Sequence, residues 1–242
     1  MIRKSSIEFQ NKKMQEVNHY NFVVKNMADF EKMIPFILHF AAGVYGKDGK
    51  QLELPLEEQF ILAKRTGWSD DKDDPGGATM IDVTLSTYTH YRISKGLKKT
   101  AKKDLLNISF EEWKEILKTM YWDKWQGDYI ESQGIANLLV DWIWASGYMV
   151  IKKAQKIIGV KNDGVVGPET ISAINGADSG ELYKSVFAAR EEHYRQCRAA
   201  WKYLNGWMRR LNAIQPDGTF RIYGKIIGTK KSDSLSQTSQ SG

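Results

Sequence analysis

The chain has 242 residues and only one cysteine, Cys197. An intrachain disulfide is impossible, and no cysteine cluster can ligate a metal. Its four histidines are scattered without ligand spacing, so neither a metal nor another cofactor is expected. No apolar run approaches the roughly 18 residues that cross a bilayer, so no membrane span is expected. Arg3 and Lys4 are followed by Glu8, Asn11, Lys12 and Lys13, not by the apolar stretch of a signal peptide. The expectation is a protein made in the cytoplasm that reaches any external target by release.

What the chain does have is apolar and basic. Hydrophobic residues make up 42%, with 8 Trp, 11 Tyr and 9 Phe, enough for a sizeable core. A net charge of +6 favours polyanionic partners such as bacterial wall polymers, nucleic acid or anionic lipid. No nucleic-acid motif is present, so a basic nucleic-acid-binding protein is the remote alternative. Nothing in the sequence specifies an oligomeric state.

The pattern along the chain is helical. Residues 1–26 are polar and weakly periodic, a disordered tail or an upstream extension. Asp29 is a helix N-cap before the apolar positions Met33, Ile34, Ile37 and Phe40. Residues 56–66 return to helical period, and Trp68 to Thr79 is a loop with the breaker Pro75-Gly76-Gly77. Thr84 caps a helix through Tyr91, and Lys95 to Lys103 is a basic connector. Ser109-Phe110-Glu111-Glu112 is a capping box. Ser132 opens a long apolar helix, Pro168 stands at a favoured first helical position, and Asp178 opens a helix expected to reach about Ile214. The tail, serine-rich at its end, cannot bury a core. These patterns divide the chain into a tail over 1–26, helical domains over 27–140 and 141–214, and a second tail over 215–242.

Several residues can carry chemistry. Asp74 and Thr79 flank Gly76 and Gly77, which let a backbone approach a ligand. The same loop also reads as an Asp-rich turn that holds its own backbone. Tyr121, Trp122 and Trp125 cluster at a helix end, where they either stack on a sugar or pack a core. Asp141 is a lone acid inside an apolar helix. A hydrogen-bonded core carboxylate is the favoured reading, and a supporting site residue the other.

The loop Asp71-Lys72-Asp73-Asp74-Pro75-Gly76-Gly77-Ala78-Thr79 resembles the active-site loop of glycoside hydrolase family 108, the phage and secretion-activator N-acetylmuramidases. Further similar segments follow in the family's order. They are Tyr121-Trp122-Asp123-Lys124-Trp125, Ile135-Ala136-Asn137-Leu138-Leu139-Val140-Asp141-Trp142, Asp163-Gly164-Val165-Val166-Gly167-Pro168-Glu169-Thr170 and Gly206-Trp207-Met208-Arg209-Arg210. The resemblance runs over about residues 28–212. It implies a mainly α fold, a lysozyme-like helical domain followed by a small helical peptidoglycan-binding-like domain. It implies peptidoglycan glycan strands as partner, Asp74 and Thr79 as catalytic residues, and Gly76, Gly77, Tyr121, Trp122 and Trp125 as substrate contacts.

The resemblance breaks where the proton donor belongs. Glycoside hydrolysis usually needs an acid for the leaving oxygen and a second carboxylate. The family's first helix ends in Glu-Gly-Gly, and that Glu is the acid. Here the similar helix 33–43 ends in Ala41-Ala42-Gly43, separated from the loop by roughly two dozen inserted residues. Without the insertion, Arg65-Thr66-Gly67 takes that place, with Arg65 nine residues before Asp74. Alanine has no titratable group, and arginine keeps its proton. The expectation is a wall-directed protein with little or no muramidase activity. The alternative is an active muramidase, or endolysin, that uses Glu57 or Glu58 as acid. Asp82 also stands where the family has Gly, and adds strain if that position needs a positive φ.

Overall fold

A computed structural model describes residues 27–44, 52–74, 76–222 and 225–227. The expected tail over 1–26 lies outside the described residues. The remainder is mainly α, as the patterning predicts. A short 3-10 turn, Phe30–Met33, leads into α1 (Ile34–Ala42), and the Asp29 carboxylate caps it by accepting from the Glu31 amide. The left-handed Gly43, φ 67°, ends α1. Next comes α2 (Leu56–Ala63), then the small antiparallel sheet β1 (Trp68–Ser69), β2 (Thr79–Met80) and β3 (Val83–Thr84). Ser69 pairs with Thr79, which pairs with Thr84.

The helices α3 (Leu85–Ser94), α4 (Lys102–Leu106) and α5 (Phe110–Ile116) follow. Thr84 caps α3 through the Thr87 amide, and the capping box at Ser109 and Glu112 is formed in both directions. A wider helical turn, Leu117–Trp122, extends α5. Then come α6 (Gln133–Ser146), α7 (Met149–Ile158), α8 (Pro168–Gly176), α9 (Ser179–Gln196) and α10 (Ala200–Ala213), with a final hairpin β4 (Phe220–Ile222) and β5 (Lys225–Ile227).

One hydrophobic core runs through all of this, from Ala28 to Phe220. Trp113, Trp122, Trp125 and Trp142 are fully buried in it. The single helix expected from Asp178 to Ile214 is two. Cys197 takes an extended ψ of 138° and ends α9, and the chain turns before α10 starts. An expected domain junction at residue 141 falls inside α6, which runs unbroken to Gly147.

The tail expected from residue 215 is also corrected, because its first part is anchored. Phe220 is 2% exposed and stacks on Phe36 of α1 with ring centroids 4.2 Å apart. Asn137 of α6 donates to the Gly218 carbonyl at 3.2 Å. The Pro216 carbonyl occupies the space where a Cβ on Gly134 would stand, so α6 needs glycine at that crossing. Phe220→Ala is expected to cost about 3–5 kcal/mol, the usual loss for a buried phenylalanine. Trimming the chain to 27–218 should lower its melting temperature by about 10 °C for the same reason. A thermal melt indistinguishable from that of the full chain would contradict this anchoring.

Candidate active site

The loop between β1 and β2 folds on its own aspartates. Asp71 Oδ1 accepts from the Asp73 amide at 3.0 Å, and Asp74 Oδ1 accepts from the Gly76 amide at 2.8 Å. The Gly77 amide donates to the Asp74 carbonyl, and Gly77 takes φ 64°. The self-held turn and the presented carboxylate are thus one structure, because Asp74 keeps a second carboxylate oxygen. The loop is tied to α10 as well. Lys202 Nζ lies 2.7 Å from Asp71 and 3.0 Å from Asp73, and the Tyr203 hydroxyl donates to Asp71 at 2.7 Å. Lys202, the Asp73 amide and Tyr203 together hold the Asp71 carboxyl well below the usual carboxylate range.

The next turn, Met80-Ile81-Asp82-Val83, has two left-handed residues, Ile81 at φ 48° and Asp82 at φ 60°. This is the two-residue hairpin geometry that favours Asn, Asp or Gly. The condition attached to Asp82 is met, since this position takes a positive φ and carries an aspartate. A clamp accompanies the strain. Arg210 of α10 donates to Asp82 at 2.8 Å, and the Trp144 indole donates to the same oxygen at 3.2 Å.

Behind the turn the ionic chain continues into the core. Arg210 also binds Asp141 at 2.7 Å, and Asp141 binds Arg190, which donates to the Tyr194 hydroxyl at 2.6 Å and the Leu138 carbonyl at 3.1 Å. Asp141 is therefore a hydrogen-bonded core carboxylate. Burial alone would raise its pKa, but the Arg210 and Arg190 charges outweigh that and hold it low.

These elements enclose a cleft of about 1400 Å³. The hairpin side contributes Asp74, Gly76, Thr79, Asp82 and Thr84, and the end of α1 contributes His39, Phe40 and Gly43. Helix α10 and the turn before it contribute Arg198, Lys202, Tyr203, Trp207, Arg209 and Arg210. Asp74 and Asp82 are the carboxylates among the described lining residues, and no described glutamate is among them.

The structure separates the remaining expected site residues. Asp74, Gly76 and Thr79 share the cleft, and Gly77 lies next to Gly76 in the same loop. Trp122 and Trp125 do not face a ligand, because both are fully buried. Trp122 donates to Asp128 at 2.7 Å and meets the edge of Phe30. Tyr121 packs on Trp144 and Tyr148, outside the cleft lining. Core packing has taken these rings because they extend the apolar face of α5. The aromatics that do reach the cleft are Phe40, Trp144, Tyr194, Tyr203 and Trp207. Trp207 packs one side on the core beside Tyr194 and Tyr203, and the signal for it in the sequence is its place between Gly206 and the Arg209-Arg210 pair.

Neither candidate acid is where catalysis needs one. Glu57 and Glu58 are exposed in the first turn of α2, where they suit the helix dipole, and neither lines the cleft. The two candidate positions for the missing Glu lie close together. The Thr66 hydroxyl donates to the Ala42 carbonyl at 2.7 Å, which joins the end of α2 to the end of α1. Ala41 is half-buried between the cleft residues Phe40 and Gly43, whereas Arg65 is exposed and outside the lining.

Cys197 also lines the cleft, and burial pushes its thiol up, away from thiolate chemistry. His39 is 8% exposed, and burial lowers its imidazole to about 4, against a backbone hydrogen bond at Val44 and with help from the Arg210 charge. Between pH 6.5 and 4 the unfolded chain therefore takes up a proton that the folded chain refuses. Stability is expected to fall across that window by up to about 3 kcal/mol. His39→Asn should flatten this part of the curve in urea unfolding at a series of pH values. An unchanged slope would show that His39 does not carry it.

Residues 58–147 match the family described as Glycosyl hydrolase 108, and residues 149–212 match the one described as Predicted Peptidoglycan domain. The first match takes in most of α2, the hairpin and α6. The two meet around Tyr148, behind the Gly147 that ends α6. Among solved structures, that of SagA from Brucella abortus is similar, with 26% identity and a TM-score of 0.56. The similarity covers 65% of this chain and 91% of that one. No curated protein matches the chain.

Proposed function

We propose, from the match of residues 58–147 to glycosyl hydrolase 108 and of residues 149–212 to a predicted peptidoglycan domain, a protein that holds peptidoglycan glycan strands and cleaves them little or not at all. The observation that carries this is the set of carboxylates in the cleft. Asp74 and Asp82 line it, and no described glutamate does. Asp82 accepts from both Arg210 and the Trp144 indole, so its carboxylate is engaged in holding the turn and is not presented to a glycosidic oxygen. On this reading Asp74 takes the role of the second carboxylate, assisting on the far side of the sugar ring, and Thr79, which lines the same cleft, orients water. General acid catalysis contributes about 10²–10⁴-fold, so a cleft with only this half of the machinery turns over very slowly. The other half of the function, grip, is supported by the aromatic faces of Trp207 and Tyr203 in the same cleft. The site of action on this reading is the bacterial cell wall.

The alternative, an active muramidase with Glu57 or Glu58 as acid, has no geometric support, since both stand outside the cleft. Purified sacculi test both parts of the proposal. The protein should co-sediment with them at low and high salt while releasing few reducing muramic ends. Robust release of reducing ends would overturn the loss of activity. Failure to sediment at either salt concentration would overturn the glycan-binding function.

A further inference from the structure

The cleft is more basic than a neutral sugar requires. Five cationic side chains line it, Arg198, Lys202, Arg209, Arg210 and Arg221, against Asp74 and Asp82. Two of the five are used internally. Lys202 is paired with Asp71 and Asp73, and Arg210 with Asp82 and Asp141. The other three are exposed, and their side chains have no ion pair or hydrogen bond among the described residues. The internal pairs hold α10 against the hairpin, and the three remaining guanidinium groups rise from α10, the turn before it and β4, which border the same cleft.

We infer that Arg198, Arg209 and Arg221 form an anion-binding wall that takes the carboxylates of peptide stems carried by the glycan strand. This inference rests on the glycan-binding function proposed above and names which form of glycan the cleft prefers. Arginine presents a planar fork that matches a carboxylate in bidentate fashion. Arg198 lies in the turn before α10 and Arg209 in the second half of that helix, which alone rises roughly 14 Å from Ala200 to Arg209 at 1.5 Å per residue. One carboxylate cannot reach both. A polymer that repeats its carboxylates along a strand can, and a peptide-substituted glycan is such a polymer. Its sugar faces would meet Trp207 and Tyr203, which lie on the same helix as Arg209. The helix matched as a peptidoglycan domain thus serves as a wall of the hydrolase cleft.

The test compares three soluble ligands by calorimetry: peptide-bearing glycan fragments, the same fragments with carboxyl groups blocked as neutral amides, and neutral chitin oligosaccharides. Wild type should bind the native fragments at least roughly tenfold more tightly than the blocked ones, the scale of one or two charge-assisted hydrogen bonds. The variant R198Q/R209Q/R221Q should lose that preference and bind native and blocked fragments alike. Its melting temperature, expected to be unchanged because all three side chains are exposed, checks that it folds. Equal binding of native and blocked fragments by wild type would overturn the inference and leave the glycan-binding function standing. A phosphate-rich teichoic acid, run as a fourth ligand, would also overturn it by binding more tightly than the native fragments, assigning the wall to phosphate. Absence of binding to all three glycan ligands would remove the glycan-binding function itself.

Discussion

Asp141→Ala is expected to destabilise the protein by about 3–5 kcal/mol, because it leaves two guanidinium groups without their shared partner. Asp141 is fully buried, as is Arg190, and Arg210 is 8% exposed. Arg190 keeps Tyr194 and the Leu138 carbonyl, and Arg210 keeps Asp82, but neither set carries enough negative charge inside the core. Asp141→Asn preserves the shape and should fall nearly as far, since the missing element is charge. Urea unfolding midpoints measure both. A loss below about 1 kcal/mol, the scale of a surface pair, would show that the network is not what holds α6 to α9 and α10. Acid dependence gives a second readout. The carboxyl's pKa is held below its unfolded value, so its stabilisation is complete above that unfolded value near 4 and is lost as the pH falls further. Asp141→Asn should remove that acid-side loss. The loss attributed to His39 lies higher, between pH 6.5 and 4, so the two groups are separable.

Supplying a carboxylic acid at the end of α1 is expected to raise glycan cleavage on the order of a hundredfold, the lower range of general acid catalysis. Ala41 does not itself line the cleft that holds Asp74 and Thr79, but its neighbours Phe40 and Gly43 do, whereas no residue from 62 to 68 around Arg65 does, so Ala41 is the nearer of the two positions. The family match weighs the other way. It begins at residue 58, so it takes in Arg65 and leaves out α1. Proximity decides catalysis, since on the proposed function an acid must reach the oxygen of the same sugar that Asp74 would assist. Ala41→Glu should therefore release reducing ends from sacculi, and Arg65→Glu should not. The reverse outcome would make α2 the catalytic helix and α1 an addition in front of it. The half-buried Ala41 site also favours function, since partial burial raises a carboxyl's pKa toward the range a general acid needs.

Local signals served well wherever a neighbour along the chain supplies the partner. Asp29, Thr84, Ser109 with Glu112, and Pro168 mark helix starts, and the structure has a helix at each. Each depends on a hydrogen bond or a fixed φ within about four residues, which the order of residues specifies. The turn at Asp163-Gly164 is similar, although the fully buried Gln155 that accepts from Gly164 and donates to Val165 was not foreseen. The aromatic pair Trp122 and Trp125 illustrates the opposite case. A tryptophan at a helix end packs a core or stacks on a sugar with equal chemical ease. Only the docking of Phe30 and the placing of Asp128 decide that Trp122 points inward.

The sequence by itself determined the helical class, the Asp74 to Thr79 loop and the lack of an acid at either position aligned with the family Glu. The first two follow from periodicity, residue chemistry and spacing, all of them local, and the third is what the resemblance to the family implies. Tertiary structure alone decided that Arg210 joins Asp82 to Asp141 across 128 and 69 residues of chain. It also decided that Phe220 completes the core and that α10 lines the cleft beside the hairpin. The physical reason is that a buried charge or ring needs a partner, and any of several arginines or aromatics could have met that need. Which one does so depends on how the helices cross, and the crossing is settled by the whole core at once.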